Sequence, residues 1–153
     1  MMNSRSTFVT KKLSANDIGK TGSHQAGIHI PKEEILLSFF PYLDPEDYNP
    51  SVEIHVICEE LEEMYLLRFV YYNGKTRDEY RLTRMTQLLR ELGAVEGDTL
   101  KMRWLENSEM LLEVERKNEN LETLLEAEYT EPYRENQERK IVEMKNGWTL
   151  EEI

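Results

Sequence analysis

Hydrophobic and polar residues change period several times along this chain. Val52, Ile54, Val56 and Cys58 alternate with Glu53, His55 and Ile57, and a period of two predicts a strand with one buried face. Met64 to Tyr72, rich in aromatic and β-branched residues, predicts a second strand. Asn73-Gly74 follows as a hairpin signal, with Glu79 to Leu82 as the return strand. Gly27-Ile28-His29-Ile30-Pro31 is a shorter alternation of the same kind. Helical spacing takes over at Met85, Leu88, Leu89 and Leu92, predicting a helix over Arg84 to Leu92, capped by Thr83 and closed by Gly93. A shorter helix is expected from Pro31, with Glu33 and Glu34 near the positive end of its dipole. Its apolar face is Ile35, Leu36, Phe39 and Phe40, and Pro41 stops it. Thr99 to Trp104 and Met110 to Glu115 add strands after the Gly97-Asp98 turn. The sum is a mainly β domain with short helices, a pattern that points to a small barrel.

After Arg116 the pattern thins. Leu121, Leu124 and Leu125 keep helical spacing until Pro132, and Arg134 to Lys145 is mostly charged. Two parts are expected: a barrel over 1–117, and a helical tail or linker over 118–153. The 153 residues suffice for one real core. A lone Cys58 excludes an internal disulfide framework and suits a reducing compartment. No run approaches the roughly 18 apolar residues of a membrane span, and Met1 to Thr7 lack the apolar core of a signal peptide. The expectation is a cytoplasmic protein with no membrane partner.

The net charge of -11 argues at first against nucleic acid. Its distribution changes that picture. Residues 1–32 hold five bases and one acid, and residues 71–103 hold seven bases and five acids. Residues 33–70 and 104–153 carry the acidic excess. A phosphate senses the local field within a Debye length of about 8 Å, not the total.

The two basic regions hold the two least ordinary stretches. Leu13 to Pro31 packs Gly19, Gly22 and Gly27 among Asn16, Asp17, Thr21, Ser23, His24, Gln25 and His29. It reads as a polar loop returning into a sheet, and it is not a Walker loop. In Asn73 to Arg84, the residues Lys75, Arg77, Glu79 and Arg81 alternate, so an extended return strand would set all four on one face. Catalytic chemistry has less support. Glu46, Asp47 and Glu53 faintly resemble the paired acids of a metal-dependent nuclease, but His55 stands where such a site needs Lys. His24, His29 and His55 match no metal-ligand spacing, and no Ser lies in a nucleophile elbow. No catalytic residue, metal or cofactor is expected.

L-S-A-N-D-x-G-x-T-G-x-H-Q-x-G-I, followed by K-x-R-x-E-x-R and R-L-T-R, resembles the N-terminal effector-binding domain of the EcoRII restriction endonuclease. The resemblance runs from about Leu13 to Glu115. It implies a B3-like DNA-binding pseudobarrel whose two arms enter the major groove of double-stranded DNA. On the N-terminal arm it points to His24 and Gln25, with Lys20 and His29 beside them. On the C-terminal arm it points to Lys75, Arg77, Glu79, Tyr80 and Arg81. Arg77 and Arg81 could each grip guanine O6 and N7, and Glu79 could accept from cytosine N4. Lys20, Lys32 and Lys75 would suit phosphates. The resemblance makes a CC(A/T)GG-like site the first expectation for the target, although His29 replaces a family Tyr and Tyr80 a family Lys, and both could alter the preferred sequence. The family's catalytic domain has no counterpart after Arg116, which implies a stand-alone DNA reader or a fragment lacking its catalytic domain, with a nuclease partner. The competing class is a protein-interaction module that docks a nuclease or regulatory partner through acidic helices and tail.

Overall fold

A computed structural model describes residues 7–19, 27–117 and 140–152. Among these residues nine strands form one sheet: β1 (Thr7–Lys12), β2 (Ile28–Ile30), β3 (Ser51–Cys58), β4 (Glu63–Tyr72), β5 (Glu79–Thr83), β6 (Thr99–Trp104), β7 (Met110–Glu115), β8 (Lys140–Glu143) and β9 (Trp148–Glu152). Among the described residues two α-helices, α1 (Glu34–Leu37) and α2 (Met85–Glu91), interrupt them. The spatial order is β2-β5-β4-β3-β7-β6-β1-β9-β8, and the pairing is antiparallel except between β3 and β7.

The period-two strands form as expected. Ile54, Val56 and Cys58 of β3 and Leu67 and Phe69 of β4 are buried, and they meet Ile28, Ile30 and Leu82 in one core. Aromatic rings run through it. Phe40 stacks on Phe69 at 4.8 Å, Phe69 on Tyr80 at 5.7 Å, and Tyr80 on Tyr71 at 4.4 Å. Trp148 meets Phe40 edge-on at 6.5 Å and donates its Nε1 hydrogen to the His29 carbonyl at 3.1 Å. That bond ties β9 to β2 across the sheet's open seam and makes the sheet a half-closed barrel.

Three expectations are corrected. Residues 140–143 and 148–152 are strands joined by a 3-10 turn (Lys145–Gly147), rather than helical tail or linker: β9 pairs with β1, and β8 pairs with β9. Trp148 and Leu150 are buried, so the barrel extends past residue 117. The helix expected at Leu121 to Leu125 lies outside the described residues. Second, α1 starts at Glu34, three residues after Pro31. Third, α2 begins after Arg84, whose φ is +68°, while Thr83 belongs to β5 and its hydroxyl donates to the Arg68 carbonyl. Its other end follows the sequence. Gly93 has φ +67°, with Gly93 N donating to Arg90 O and Ala94 N to Leu89 O, a Schellman closure.

Candidate nucleic-acid interface

The β2-β5-β4 ladder decides which side chains share a face. His29 lies opposite Arg81, Arg81 opposite Val70, and Glu79 opposite Tyr72. Directly opposed residues point the same way. His29, Glu79, Arg81 and Tyr72 therefore stand on the outer face, the face away from that core, where the Arg81 side chain is itself buried, while Ile30, Tyr71, Tyr80 and Leu82 face the core.

Arg77 precedes β5 but folds back onto the same outer face. Its Nη2 lies 2.5 Å from Glu79 Oε1, and its guanidinium lies 4.0 Å above the Tyr72 ring. Arg81 Nε lies 3.3 Å from the same Glu79 oxygen, so one carboxylate faces two guanidinium groups. The hydrogen bond from Arg77, aided by Arg81, holds the Glu79 carboxyl below the usual carboxylate range against its partial burial. Burial first, then the Arg81 charge, push the His29 imidazole down, while Glu79 partly offsets them.

The β4–β5 connection, residues 73–78, is not the two-residue hairpin that Asn73-Gly74 suggests. Lys75 takes φ +57°, and Arg77 N donates to Gly74 O at 3.0 Å. Alternation starts only at Glu79, so Lys75 stands off the strand. Tyr80, expected on the DNA face, points the other way into the aromatic stack because it is one residue out of phase with Glu79 and Arg81. Lys32 Nζ is bonded to Asp78 Oδ2 at 2.7 Å, and Tyr71 donates to Asp78 Oδ1 at 2.6 Å. The Lys32 ammonium, then the Tyr71 hydroxyl, hold the Asp78 carboxyl below its usual range.

The β1–β2 connection starts with a closed turn. Asp17 N donates to Ser14 Oγ at 3.2 Å, and Ser14 N donates to Asp17 Oδ2 at 2.9 Å, the reciprocal arrangement of a capping box. The same Asp17 oxygen takes the buried Lys11 ammonium at 2.8 Å. Lys11, one of the five bases in residues 1–32, is thus a structural cation. At the other end, Gly27 has φ +76°, and a Cβ there would lie 2.1 Å from the Leu82 carbonyl oxygen. Lys20, His24 and Gln25 lie outside the described residues.

Tyr72 is the member of this face that the sequence reading missed. Its signal was available: alternation in β4 and the register of its pairing with β5 set it beside Glu79. Of the acids considered for nuclease chemistry, Glu53 pairs with Arg84 at 3.2 Å. Among the described residues no three His, Cys, Asp or Glu side chains group as a metal site would need.

Residues 2–95 match the family described as restriction endonuclease EcoRII, N-terminal. The chain is 42% identical over 84 residues to the type II restriction enzyme EcoRII of Escherichia coli. That stretch is 50% of this chain and 20% of the enzyme, so the chain spans only about a fifth of the relative's length. Among solved structures, the Arabidopsis FUS3-DNA complex superposes with a TM-score of 0.56 at 16% identity, over 70% of this chain and 94% of that one. The B3 domain of the UbaLAI restriction endonuclease with cognate DNA superposes with a TM-score of 0.57 at 19% identity, over 98% of this chain and 89% of that one. The half-closed barrel is accordingly a B3-like pseudobarrel, and the chain belongs to the family of EcoRII N-terminal domains.

Proposed function

We propose that this chain binds double-stranded DNA in a sequence-dependent way, without catalysis, through two loops that enter the major groove. The β1–β2 connection is the N-terminal arm, and residues 73–78 with the outer face of β5 form the C-terminal arm. The carrying observation is Glu79 held between Arg77 and Arg81. A surface built only to attract phosphates gains nothing from a carboxylate between its cations. A surface that reads a C·G pair uses both types, guanidinium for guanine O6 and N7 and carboxylate for cytosine N4. The DNA-bound forms of the UbaLAI domain and of FUS3, which share this fold, support the reading. A regulatory role beside a nuclease, as the effector domain of a type IIE restriction enzyme, fits the family.

Fluorescence anisotropy with a CC(A/T)GG duplex and a scrambled duplex, followed by selection from a random pool, tests it. Arg77→Ala is expected to weaken the preferred duplex by about 1–3 kcal/mol and to relax one base position. Equal loss on every sequence would reduce Arg77 to a phosphate contact. Absence of any preferred duplex, even at low salt, would favour a protein-docking module instead.

A further inference from the structure

The 73–78 connection is fastened from outside by the acidic segment between Pro41 and Pro50. Asn49 and Asn73 clasp each other. Asn49 N donates to Asn73 Oδ1 at 2.8 Å, while Asn49 Oδ1 accepts from Asn73 N at 2.9 Å and Gly74 N at 3.1 Å. Asn73 Nδ2 then donates to the carbonyls of Asp47 at 2.7 Å and Pro45 at 3.0 Å. Asn49 holds φ +44°, a conformation that Asn tolerates better than most residues. The Tyr48 ring covers Gly74 so closely that a Cβ there would lie 2.7 Å from it.

These bonds act at the point where β4 ends and the loop leaves the sheet. From there the backbone turns through Lys75 and delivers Arg77 onto Tyr72 and Glu79. A side chain that must meet a base edge in bidentate geometry loses affinity if its loop must first be ordered. We infer that Asn49 is a positioning residue for base discrimination: its side-chain oxygen, by fixing the Asn73 and Gly74 amides, sets the loop that carries Arg77. This inference rests on the DNA-binding reading proposed above.

Its atomic detail makes it separable from a general packing role. In these contacts the Asn49 side chain acts through its oxygen, so Asn49→Asp retains the acceptor. Asn49→Gly keeps the backbone conformation and removes the acceptor. Binding of the wild-type chain and both variants would be measured on the duplex the wild type prefers and on a scrambled duplex, with amide hydrogen exchange at Asn73 and Gly74 and thermal melting alongside. Asn49→Gly is expected to lower the preference for the first duplex about tenfold, with faster exchange at both amides and scrambled binding unchanged. Asn49→Asp is expected to keep the preference. If the wild type discriminates and Asn49→Gly discriminates equally well, the positioning role is wrong and the DNA reading stands. Parallel loss on both duplexes, or a collapsed melt in both variants, would make Asn49 a purely structural residue. A wild type that prefers no duplex would sink the DNA-binding reading, and this inference with it.

Discussion

His29 faces Arg81 directly across the β2–β5 ladder. Partial burial and the neighbouring guanidinium both disfavour its imidazolium, and the Glu79 carboxylate opposes them. An NMR titration should therefore place its midpoint below the ordinary 6.5. Glu79→Gln should lower that midpoint further, and Arg81→Ala should raise it. As pH falls below 6.5, the unfolded chain takes up this proton before the folded one, so the His29 contribution to stability declines through that window and is constant above it. A midpoint indifferent to both substitutions would mean that burial alone sets it. At this scale the site was partly legible. Glu79 and Arg81 share a face because period two puts them there, and the same rule turns Tyr80 inward, although it is contiguous with them in the motif. Lys75 could not be placed by period, because a left-handed residue breaks the alternation before the strand begins.

Elements here are held by close backbone approach as much as by side-chain burial. Gly27 admits β2 against β5, where any Cβ would overlap the Leu82 carbonyl and lie 2.7 Å from the Thr83 Cα. Gly93 shares the positive φ but has open space around it. Gly27→Ala is expected to cost about 2–4 kcal/mol, combining left-handed strain with overpacking. Gly93→Ala should cost about 1 kcal/mol, from conformation alone. Urea midpoints of the two variants would separate these costs, and equal values would show that β2 yields freely. Within the family motif, Leu13 to Asp17 and Gly27 thus build the ends of a loop. β3 was readable because buried Ile54, Val56 and Cys58 alternate with less buried neighbours. β8 was not, because Lys140–Glu143 is an edge strand with no fully buried residue and so leaves no period.

For the molecule as a whole, Trp148 is the residue on which closure depends. It is wholly buried, at the far end of the chain from β2, and its indole bonds to a strand that is not its ladder neighbour. Trp148→Phe should cost about 1–3 kcal/mol, since the His29 carbonyl loses its donor inside the protein. Trp148→Ala should cost about 3–5 kcal/mol. A chain ending at Lys117 should lose cooperative unfolding in circular dichroism, because β1 would lose β9 and the core would lose both Trp148 and Leu150. Two-state melting of that shorter chain would show that β8 and β9 are dispensable. Reading a change of character at residue 117 as a domain boundary failed for a physical reason: charge density along 134–145 says nothing about two later side chains that alone supply the buried face of β9.

Thr7 pairs directly with Glu152, the first described residue of β1 against the last of β9. The two positions are thus about one strand spacing apart, close to 4.8 Å. Any polypeptide joined before Thr7 and any joined after Glu152 would leave from the same spot. Such a barrel can be grafted as a cassette into a single surface loop of a host protein, entering and leaving through one narrow doorway without stretching the host.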